Sequence, residues 1–418
     1  MKENFFDPSE YIRNLQQLLV SDKKKIGFLF GAGTSISYVF GIAKITELVE
    51  KELEEEVNKE RYKTAIEEIK TELGNKYTVE TLLSNLEQKK QIIGKGTLNG
   101  LKESEIEALI NSIKEKIRKL VSVHTDKENI VADKLVHSDF AEWIGKANRK
   151  HAVEIFTTNY DYLFEIGLEH NCIPYYDGFT GSYQPFFNGE SVDDMSYLTT
   201  QTKLWKIHGS LGWHYDEDLK RIIRKDSNSE DMLIYPSTLK YDQSRKQPYT
   251  ALGDRLTNFI KQDDTVLIVC GYSFGDEHIN ERITTALSSN HFSHIYVLYY
   301  DLQKDENNSK TGTLTTDSPI AKIALANSKI SLFSSRSAVI GGVFGYWKLK
   351  REPNKDDSLN IDLYYDEDAY SNIDDEKGTE IEQKWTGEGE LVLIDFTRFV
   401  QFLKNMVFPN NTEAGKHE

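Results

Sequence analysis

Five short apolar runs, each followed at once by a polar or glycine-bearing turn, constrain the fold of this 418-residue chain most strongly. Longer stretches between them carry apolar residues at helical spacing. Short apolar strands that alternate with helices are typical of a parallel sheet covered by helices on both faces. We therefore expect an α/β protein whose strands lie at Ile26–Phe30, Val153–Phe156, Leu204–Ile207, Thr265–Cys270 and Ile295–Tyr300.

A long, mainly helical stretch separates the first strand from the second. In "LKESEIEALINSIKEKIRKLV", residues 101–121, apolar residues recur at helical spacing, and the Glu- and Lys-rich text before it reads similarly. We predict an inserted helical module at 46–149, within an α/β domain formed by 1–45 and 150–330. A C-terminal accessory region follows at 331–418, where an acidic stretch lacks a helical period.

Composition and charge exclude several classes of protein. Apolar residues make up 39% of the chain, yet no apolar run approaches the roughly 20 residues that a membrane helix needs. The first residues lack a basic region followed by an apolar stretch, so we expect a cytoplasmic protein. A net charge of −16 opposes broad binding to nucleic acid or anionic membranes. Cys172 and Cys270 are too few for a four-cysteine zinc site, and we expect no zinc or other metal site.

The segment "FLFGAGTS", residues 28–35, is the first candidate for ligand binding. Gly31 and Gly33 would let the backbone approach a phosphate, amides of a following helix would donate to the anion, and Ser35 would add a hydroxyl. The third glycine of a complete dinucleotide-binding motif is missing. A tight turn between a strand and a helix explains the segment about equally well.

A polar run, "TTNYD", follows the second strand without the Gly or Pro of an ordinary turn. Asn159 can hold a water or a hydroxyl with both a donor and an acceptor, and Asp161 can accept from a carboxamide or a ribose hydroxyl. The alternative is a helix N-cap, although a cap needs only one such residue. Thr157 and Thr158 would contact the ligand or shape the turn, and Tyr160 would pack or stack.

Two further strand ends carry side chains suited to chemistry. In "KIHGSLGW", His208 precedes a Gly-Ser pair, where a neutral imidazole could act as general base toward a sugar hydroxyl, although a lone histidine is more often structural. In "VCGYSFGDEHI", Gly271 again allows close approach, and Ser273 and Asp276 are placed to contact a ribose or adenine. Asp276 could equally cap the helix that follows.

Taken in order, these segments resemble the signature of the sirtuin superfamily: GAG-x-S, T-x-N-x-D, HG and G-x-S, over about residues 20–300. The resemblance implies a Rossmann-like parallel sheet of the sirtuin (DHS-like) type, with NAD+ as substrate. It implies pyrophosphate contacts for Gly31, Ala32, Gly33 and Ser35 and adenosine contacts for Gly271 and Ser273; Thr158 and Asp276 are further candidates for cofactor binding. Asn159 would position the reacting water or ribose, Asp161 would meet the nicotinamide carboxamide, and His208 would act as base on the nicotinamide ribose.

The chain also departs from the protein-deacylating sirtuins. It lacks their four zinc-binding cysteines, and "GIAKITE", residues 41–47, stands where they have G-I-P-D-F-R, which disfavours an acyl-lysine groove. With its helical insertion and acidic tail it is more similar to the sirtuin-like effectors of bacterial antiphage systems, including the partner of HerA-type ATPases. "YTVETLLSNLE", residues 77–87, is similar to a segment that these effectors share.

That resemblance implies an NAD+ hydrolase that releases nicotinamide and ADP-ribose and depletes NAD in antiphage defence. We also expect a homo-oligomer, with a HerA-type ATPase as candidate partner and without binding to membranes or directly to nucleic acid. Two alternatives stay open: a non-catalytic NAD or ADP-ribose sensor that gates a partner, and, less favoured, a protein deacylase. A sensor would bind NAD+ and leave it intact.

Overall fold

The computed structural model of the chain describes residues 3–55, 58–216, 218–226, 247–290, 292–304, 310–354, 356–369, 371–374 and 381–407. The α-helices of these residues, numbered in chain order, are α1 (Pro8–Val20), α2 (Ile42–Leu53), α3 (Lys59–Leu73), α4 (Val79–Ile92), α5 (Glu103–Val121), α6 (Val136–Lys146), α7 (Leu163–His170), α8 (Gly189–Asp193), α9 (Tyr249–Ile260), α10 (Glu277–Ser289), α11 (Pro319–Ala326) and α12 (Phe396–Val407). Within the described ranges, none of the helices is both long enough and apolar enough to cross a lipid bilayer.

The strands of the described residues are short. They are β1 (Phe5–Phe6), β2 (Lys25–Phe30), β3 (Glu154–Thr157), β4 (Tyr175–Tyr176), β5 (Phe179–Thr180), β6 (Phe186–Phe187), β7 (Thr202–Lys206), β8 (Trp213–Asp216), β9 (Arg221–Arg224), β10 (Thr265–Cys270), β11 (His294–Leu298), β12 (Leu302–Lys304), β13 (Lys310–Gly312), β14 (Ile330–Phe333), β15 (Ser337–Ile340), β16 (Val343–Trp347), β17 (Tyr365–Glu367), β18 (Ser371–Asp374), β19 (Ile381–Lys384) and β20 (Gly389–Leu391).

One large sheet organises the molecule, with strand order β1-β16-β15-β14-β11-β10-β2-β3-β7-β4. Every neighbouring pair from β14 to β4 is parallel, and β15 and β16 form an antiparallel hairpin on the other side. The prediction of an α/β protein with a mainly parallel sheet is therefore confirmed. All five predicted strands are present; β10 has the predicted bounds, whereas β11 ends at Leu298 rather than Tyr300.

The register of the sheet brings the ends of four neighbouring strands into one row. Phe30, the last residue of β2, pairs with Thr157 of β3 and with Cys270 of β10. Thr157 in turn pairs with Lys206, the last residue of β7. Because the carboxyl ends of parallel strands lie at the same edge, the loops that follow these four residues lie side by side. Segments far apart in the sequence meet there for this reason.

The two faces of the sheet are covered by different helices. Successive side chains of a strand point to opposite faces, so Phe28 and Phe30 enter one core while Leu29 enters the other. The first core includes residues of α1, α6, α7 and α12, and the rings of Phe30 and Phe164 lie 4.9 Å apart. The second includes residues of α9, α10 and α11.

Helices α2 to α5 form a third core of their own. Tyr160, Tyr162 and Leu211, which follow β3 and β7, also pack in this core. The helical layer therefore rests on the loops at the carboxyl edge of the sheet. Helices α6 and α12, by contrast, pack against the sheet itself, with the Phe28 ring 5.0 Å from that of Phe140 and 6.2 Å from that of Phe399.

A small antiparallel sheet, β5-β6-β9-β8, was not predicted from the sequence. Its strands are two to four residues long, which is too short for an alternating pattern to be recognised. Phe179, Trp213 and Ile222 of this sheet pack in the second core of the large sheet.

Candidate active site

A cavity of about 950 Å³ lies at the carboxyl edge of the large sheet. Its lining brings together most of the residues that the sequence singled out: Ala32, Gly33, Ser35, Thr158, Asn159, Asp161, His208, Gly271, Ser273 and Asp276. Gly31 is buried and does not line the cavity, although it contacts residues that do. The loops after β2, β3, β7 and β10 therefore share one concave site.

The two glycine-bearing loops touch each other backbone to backbone. The Gly33 amide donates to the Gly271 carbonyl over 2.9 Å, and a Cβ built on Gly33 would lie 2.7 Å from the Gly271 Cα. Gly271 has a φ of +67°, and a Cβ there would lie 2.6 Å from the amide nitrogen of Thr34. Any side chain would force the loops apart, so packing alone accounts for these glycines. Their role in binding phosphate stays a prediction.

Asn159 joins the loop after β3 to the loop after β2. It is 6% exposed, and its Nδ2 lies 3.1 Å from the Gly31 carbonyl oxygen, 3.1 Å from Thr34 Oγ1 and 2.9 Å from Ser35 Oγ. A carbonyl oxygen can only accept, so the nitrogen of the carboxamide must face this side. None of these bonds uses Oδ1, which leaves Asn159 an acceptor at the cavity wall.

The neighbours of Asn159 divide between shaping the turn and lining the cavity. Thr157 is fully buried, and its Oγ1 accepts from the Asn159 amide over 3.0 Å. Thr158 and Tyr160 line the cavity, and the Tyr160 ring lies 6.5 Å from that of His208. Thr157 therefore shapes the turn, whereas a ligand contact of Thr158 stays a prediction.

Asp161 lies just before α7 and also lines the cavity. Its Oδ1 accepts from the Leu163 amide over 3.0 Å, a bond of the kind that caps a helix. That bond leaves the second carboxylate oxygen of this residue, which is 4% exposed, for other partners.

A buried lysine that the sequence did not single out holds two of the loops together. Lys206 Nζ donates to the carbonyl oxygens of Tyr160 and Asp161 and, over 3.0 Å, to Ser210 Oγ. It also pairs with Glu165 Oε1 at 2.6 Å, where both side chains are nearly inaccessible to solvent. Burial raises the pKa of Glu165, and the ammonium of Lys206 opposes that rise. One cation thus joins the loop after β3 to the loop after β7.

His208 is paired with Asp276. The His208 Nε2 lies 3.0 Å from Asp276 Oδ2, across the gap between the loops after β7 and β10. Asp276 also caps α10, because its Oδ1 accepts from the amides of His278 and Ile279. The sequence placed each residue at its own strand end but gave no sign that they meet.

Lining residues that the sequence did not single out come from several elements. They include Ile36, Val39 and Phe40 after β2, Ile45 in α2, Val79, Glu80, Thr81, Ser84, Ile117 and Val121 from α4 and α5, Tyr299 and Tyr300 after β11, and Ile394, Asp395 and Phe396 before and at the start of α12. The α4 residues belong to "YTVETLLSNLE", which could have signalled their position. The α5 residues have the same helical spacing as their neighbours in the third core, so no local pattern distinguishes them.

The ionisable side chains that line the cavity are mainly acidic. Within the described residues they include the carboxylates Glu80, Asp161, Asp276, Glu277 and Asp395, and neither lysine nor arginine is among them. Among the described lining groups, backbone amides and hydroxyls are the ones suited to the anionic part of a ligand. Burial, helped by the carboxylate of Asp395, raises the pKa of Cys270, so this thiol stays protonated at neutral pH.

Comparison with protein families places one domain within the chain. The family model of the SIR2-like domain matches residues 153–317, which include the loops after β3, β7 and β10; the glycine turn after β2 precedes this span. A search of curated proteins found no match. The fold is thus an α/β fold of the Rossmann-like, SIR2 type, and NAD-related chemistry is the general activity that such a domain suggests.

Proposed function

We propose that this protein is an NAD+ glycohydrolase, which uses water to release nicotinamide and ADP-ribose. The observation that carries the proposal is the meeting of Asn159, Asp161 and His208 in one cavity with the glycine loops after β2 and β10. The match to a SIR2-like domain supports NAD+ as the substrate. The cavity volume, about 950 Å³, also lies within the range of about 300–1,000 Å³ that is usual for small-molecule sites.

The residues of the cavity would divide the reaction among them. The glycosidic bond breaks with its electron pair on nicotinamide, and positive charge develops on the ribose, as in glycoside hydrolysis generally. Asp161 would orient the nicotinamide carboxamide. Asn159 would accept from the attacking water through Oδ1, because its Nδ2 faces Gly31 and Ser35. The water oxygen bonds to the ribose carbon that nicotinamide leaves. His208 would take up the proton that this water loses, directly or through the ribose hydroxyl on which it acts as base, so that nicotinamide, ADP-ribose and one proton are formed.

Nicotinamide release from NAD+ by the purified protein tests this proposal. We expect His208→Ala to lower the rate by about 10²–10⁴-fold, the usual contribution of general acid–base catalysis. Asn159→Ala removes the group that positions the water and should lower the rate by about 10²-fold. Asn405→Ala, on α12, and His170→Ala, on α7, are matched controls that should keep the wild-type rate, since neither residue lines the cavity. Full activity in both cavity variants would refute the assignment.

The same samples distinguish the alternatives. Binding of NAD+ without release of nicotinamide would show that the protein is a non-catalytic sensor and not a hydrolase. A deacylase would remove an acyl group from a lysine peptide in the presence of NAD+. We expect no deacylation, because two cysteines cannot form the four-cysteine zinc site of the deacylases.

We further propose that the activity depletes NAD in antiphage defence, in the cytoplasm, through a homo-oligomer with a HerA-type ATPase as partner. This part rests on the sequence resemblance, including "YTVETLLSNLE", four of whose residues line the cavity. The NAD content of phage-challenged cells carrying either the wild type or His208→Ala tests the role, and equal NAD loss in both would contradict it. Turnover with and without a co-encoded ATPase tests the partner.

A further inference from the structure

The imidazole of His208 has a defined partner on one of its nitrogens. Nε2 lies 3.0 Å from Asp276 Oδ2, and the two side chains are only 14% and 21% exposed. An ionised carboxylate can only accept a hydrogen bond, so Nε2 must carry the hydrogen. In a neutral imidazole the lone pair then lies on Nδ1.

Asp276 is fixed by its surroundings. Its Oδ1 accepts from the amides of His278 over 3.0 Å and Ile279 over 3.3 Å, in the first turn of α10. The hydroxyl of Tyr272 donates to the Asp276 carbonyl oxygen over 3.2 Å. With one carboxylate oxygen directed to the helix, the other is held toward His208.

The loop that carries Asp276 also contains a strained residue. Phe274 has a φ of +59°, a conformation that is costly for a bulky side chain. Asn280 Nδ2 donates to the Phe274 carbonyl oxygen over 2.8 Å, and the Phe274 ring lies 4.8 Å from that of Tyr272. Strain of this kind persists only where neighbouring contacts enforce it. Capping α10 alone would not require it, since caps form on ordinary extended backbone.

We propose that Asp276 is a positioning residue for His208. It holds the imidazole in the Nε2–H form, so that Nδ1 receives the proton that the attacking water loses, directly or through the ribose hydroxyl. The negative charge of Asp276 then stabilises the imidazolium that results. Nε2 keeps its hydrogen and Asp276 stays ionised throughout, so water is the only co-reactant. The inference rests on the proposed hydrolysis and gives Asp276 a task other than the ribose or adenine contact expected from the sequence.

Asp276→Asn separates this task from helix capping. Asparagine caps helices as well as aspartate does, so the start of α10 is retained. With its Oδ1 on the α10 amides, the asparagine presents Nδ2 to His208, whose Nε2 must then accept. We expect the hydrogen to move from Nε2 in the wild type to Nδ1 in the variant. Nitrogen-15 NMR of histidine-labelled protein would show this, with the His208 signals assigned through His208→Gln.

The kinetic result should match the change of tautomer. We expect kcat for nicotinamide release to fall by about 10²–10⁴-fold in Asp276→Asn, with little change in KM for NAD+. A residue that bound the ribose would raise KM instead. Asp133→Asn is the matched control, because it alters another His–Asp pair, His170 to Asp133 at 2.8 Å, outside the cavity lining. Asp276→Ser keeps a capping hydroxyl but removes the carboxylate that His208 Nε2 contacts, so its kcat should also fall while thermal unfolding stays unchanged.

Two results would overturn the inference: a hydrogen on Nδ1 of His208 in the wild type, or an Asp276→Asn variant that keeps the wild-type kcat. The NMR measurement needs no turnover and therefore separates this inference from the proposed function. If the wild type shows the Nε2–H form but releases no nicotinamide, the hydrolase proposal fails while the pairing stands.

Discussion

The cavity has two unlike walls. The wall at the carboxyl edge of the sheet is polar, and its loops are cross-linked. Asn159 and His208 each bond to a partner on another loop, and Lys206, buried behind the wall, donates to the carbonyl oxygens of Tyr160 and Asp161. The wall supplied by α5 is apolar and consists of Ile117 and Val121, whereas α4 adds Glu80, Thr81 and Ser84 beside Val79. The candidate catalytic side chains thus follow the strand ends, whereas α5 adds apolar surface. Variants on each wall can test this difference.

The largest expected effect is at Lys206, buried behind the polar wall. Lys206→Met removes the cation that joins two loops and leaves Glu165 buried without its partner. Loss of one member of a buried pair costs roughly 3–5 kcal/mol, so urea unfolding should show a decrease of this size. Lys350→Met, which breaks an exposed pair with Glu10, should change stability little. Equal stability of the two variants would show that this cation does not hold the polar wall.

The next effect in size concerns pH and His137, behind the polar wall. His137 is 1% exposed among aromatic rings, with the Phe164 ring at 4.6 Å, and burial lowers its pKa to about 4 from 6.5. The unfolded chain therefore binds a proton that the folded protein resists between these pH values. Stability is full above about pH 6.5 and should fall by roughly 3 kcal/mol as the pH drops toward 4.

Urea unfolding at pH 7 and at pH 4.5 checks this expectation. His137→Phe removes the titrating group and fits the aromatic surroundings, so the variant should lose less stability on acidification than the wild type. If His137→Phe is as acid-sensitive as the wild type, the loss of stability comes from other groups. One of these is His294, whose pKa is also lowered by burial to about 4.

A smaller effect is expected where the glycine loops meet. Gly271→Ala places a Cβ 2.6 Å from a backbone nitrogen at a φ of +67°, and such overpacking costs about 1–3 kcal/mol. Gly94→Ala is the control, since Gly94 has a φ of +54° and open space around it. The stability that Gly271→Ala loses beyond the loss in Gly94→Ala, measured by thermal unfolding, is the contribution of the contact between the loops. Equal losses of stability in the two variants would show that the cost comes from the backbone conformation and not from the contact between the loops.

The smallest effect belongs to the apolar wall. Ile117→Val should cost about 0.5–1.5 kcal/mol and lower kcat for nicotinamide release less than threefold, because it removes one methyl group and no polar atom. Ile113→Val, in the third core and outside the cavity lining, should cost the same stability with no change in kcat. A loss of kcat in Ile117→Val as large as that in Asn159→Ala would erase the distinction between the walls.

The framework of this site could be predicted from the sequence because it depends on local patterns. Apolar runs ending in polar turns gave five strands of the sheet, and parallel pairing places their carboxyl ends at one edge. Candidate residues at those ends, among them Asn159 and His208, consequently line one cavity.

The contacts within the site could not be predicted in the same way. The bond from Asn159 to Ser35, the bond from the Lys206 ammonium to the Asp161 carbonyl oxygen and the pairing of His208 with Asp276 depend on register and on side-chain conformation across distant segments. Lys206 in particular ends a buried strand, where a single lysine has no local signal of an ion pair. The contribution of α5 was hidden because residues facing a cavity and residues facing a core have the same spacing.

The parallel pairing of β2 and β3 also determines where this chain can change its length. The segment between them leaves Phe30 at the carboxyl edge and enters β3 at Glu154, which pairs with Gly27 nearer the opposite edge. Such a connection has to cross over the sheet, and α6, which packs against Phe28 and precedes β3, lies on this return path. Each doubling of a flexible connection adds only about 0.6 kcal/mol of closure entropy. Helices α2 to α5 have a core of their own within this crossover, so a different helical unit could be exchanged there while α6 still leads the chain into β3.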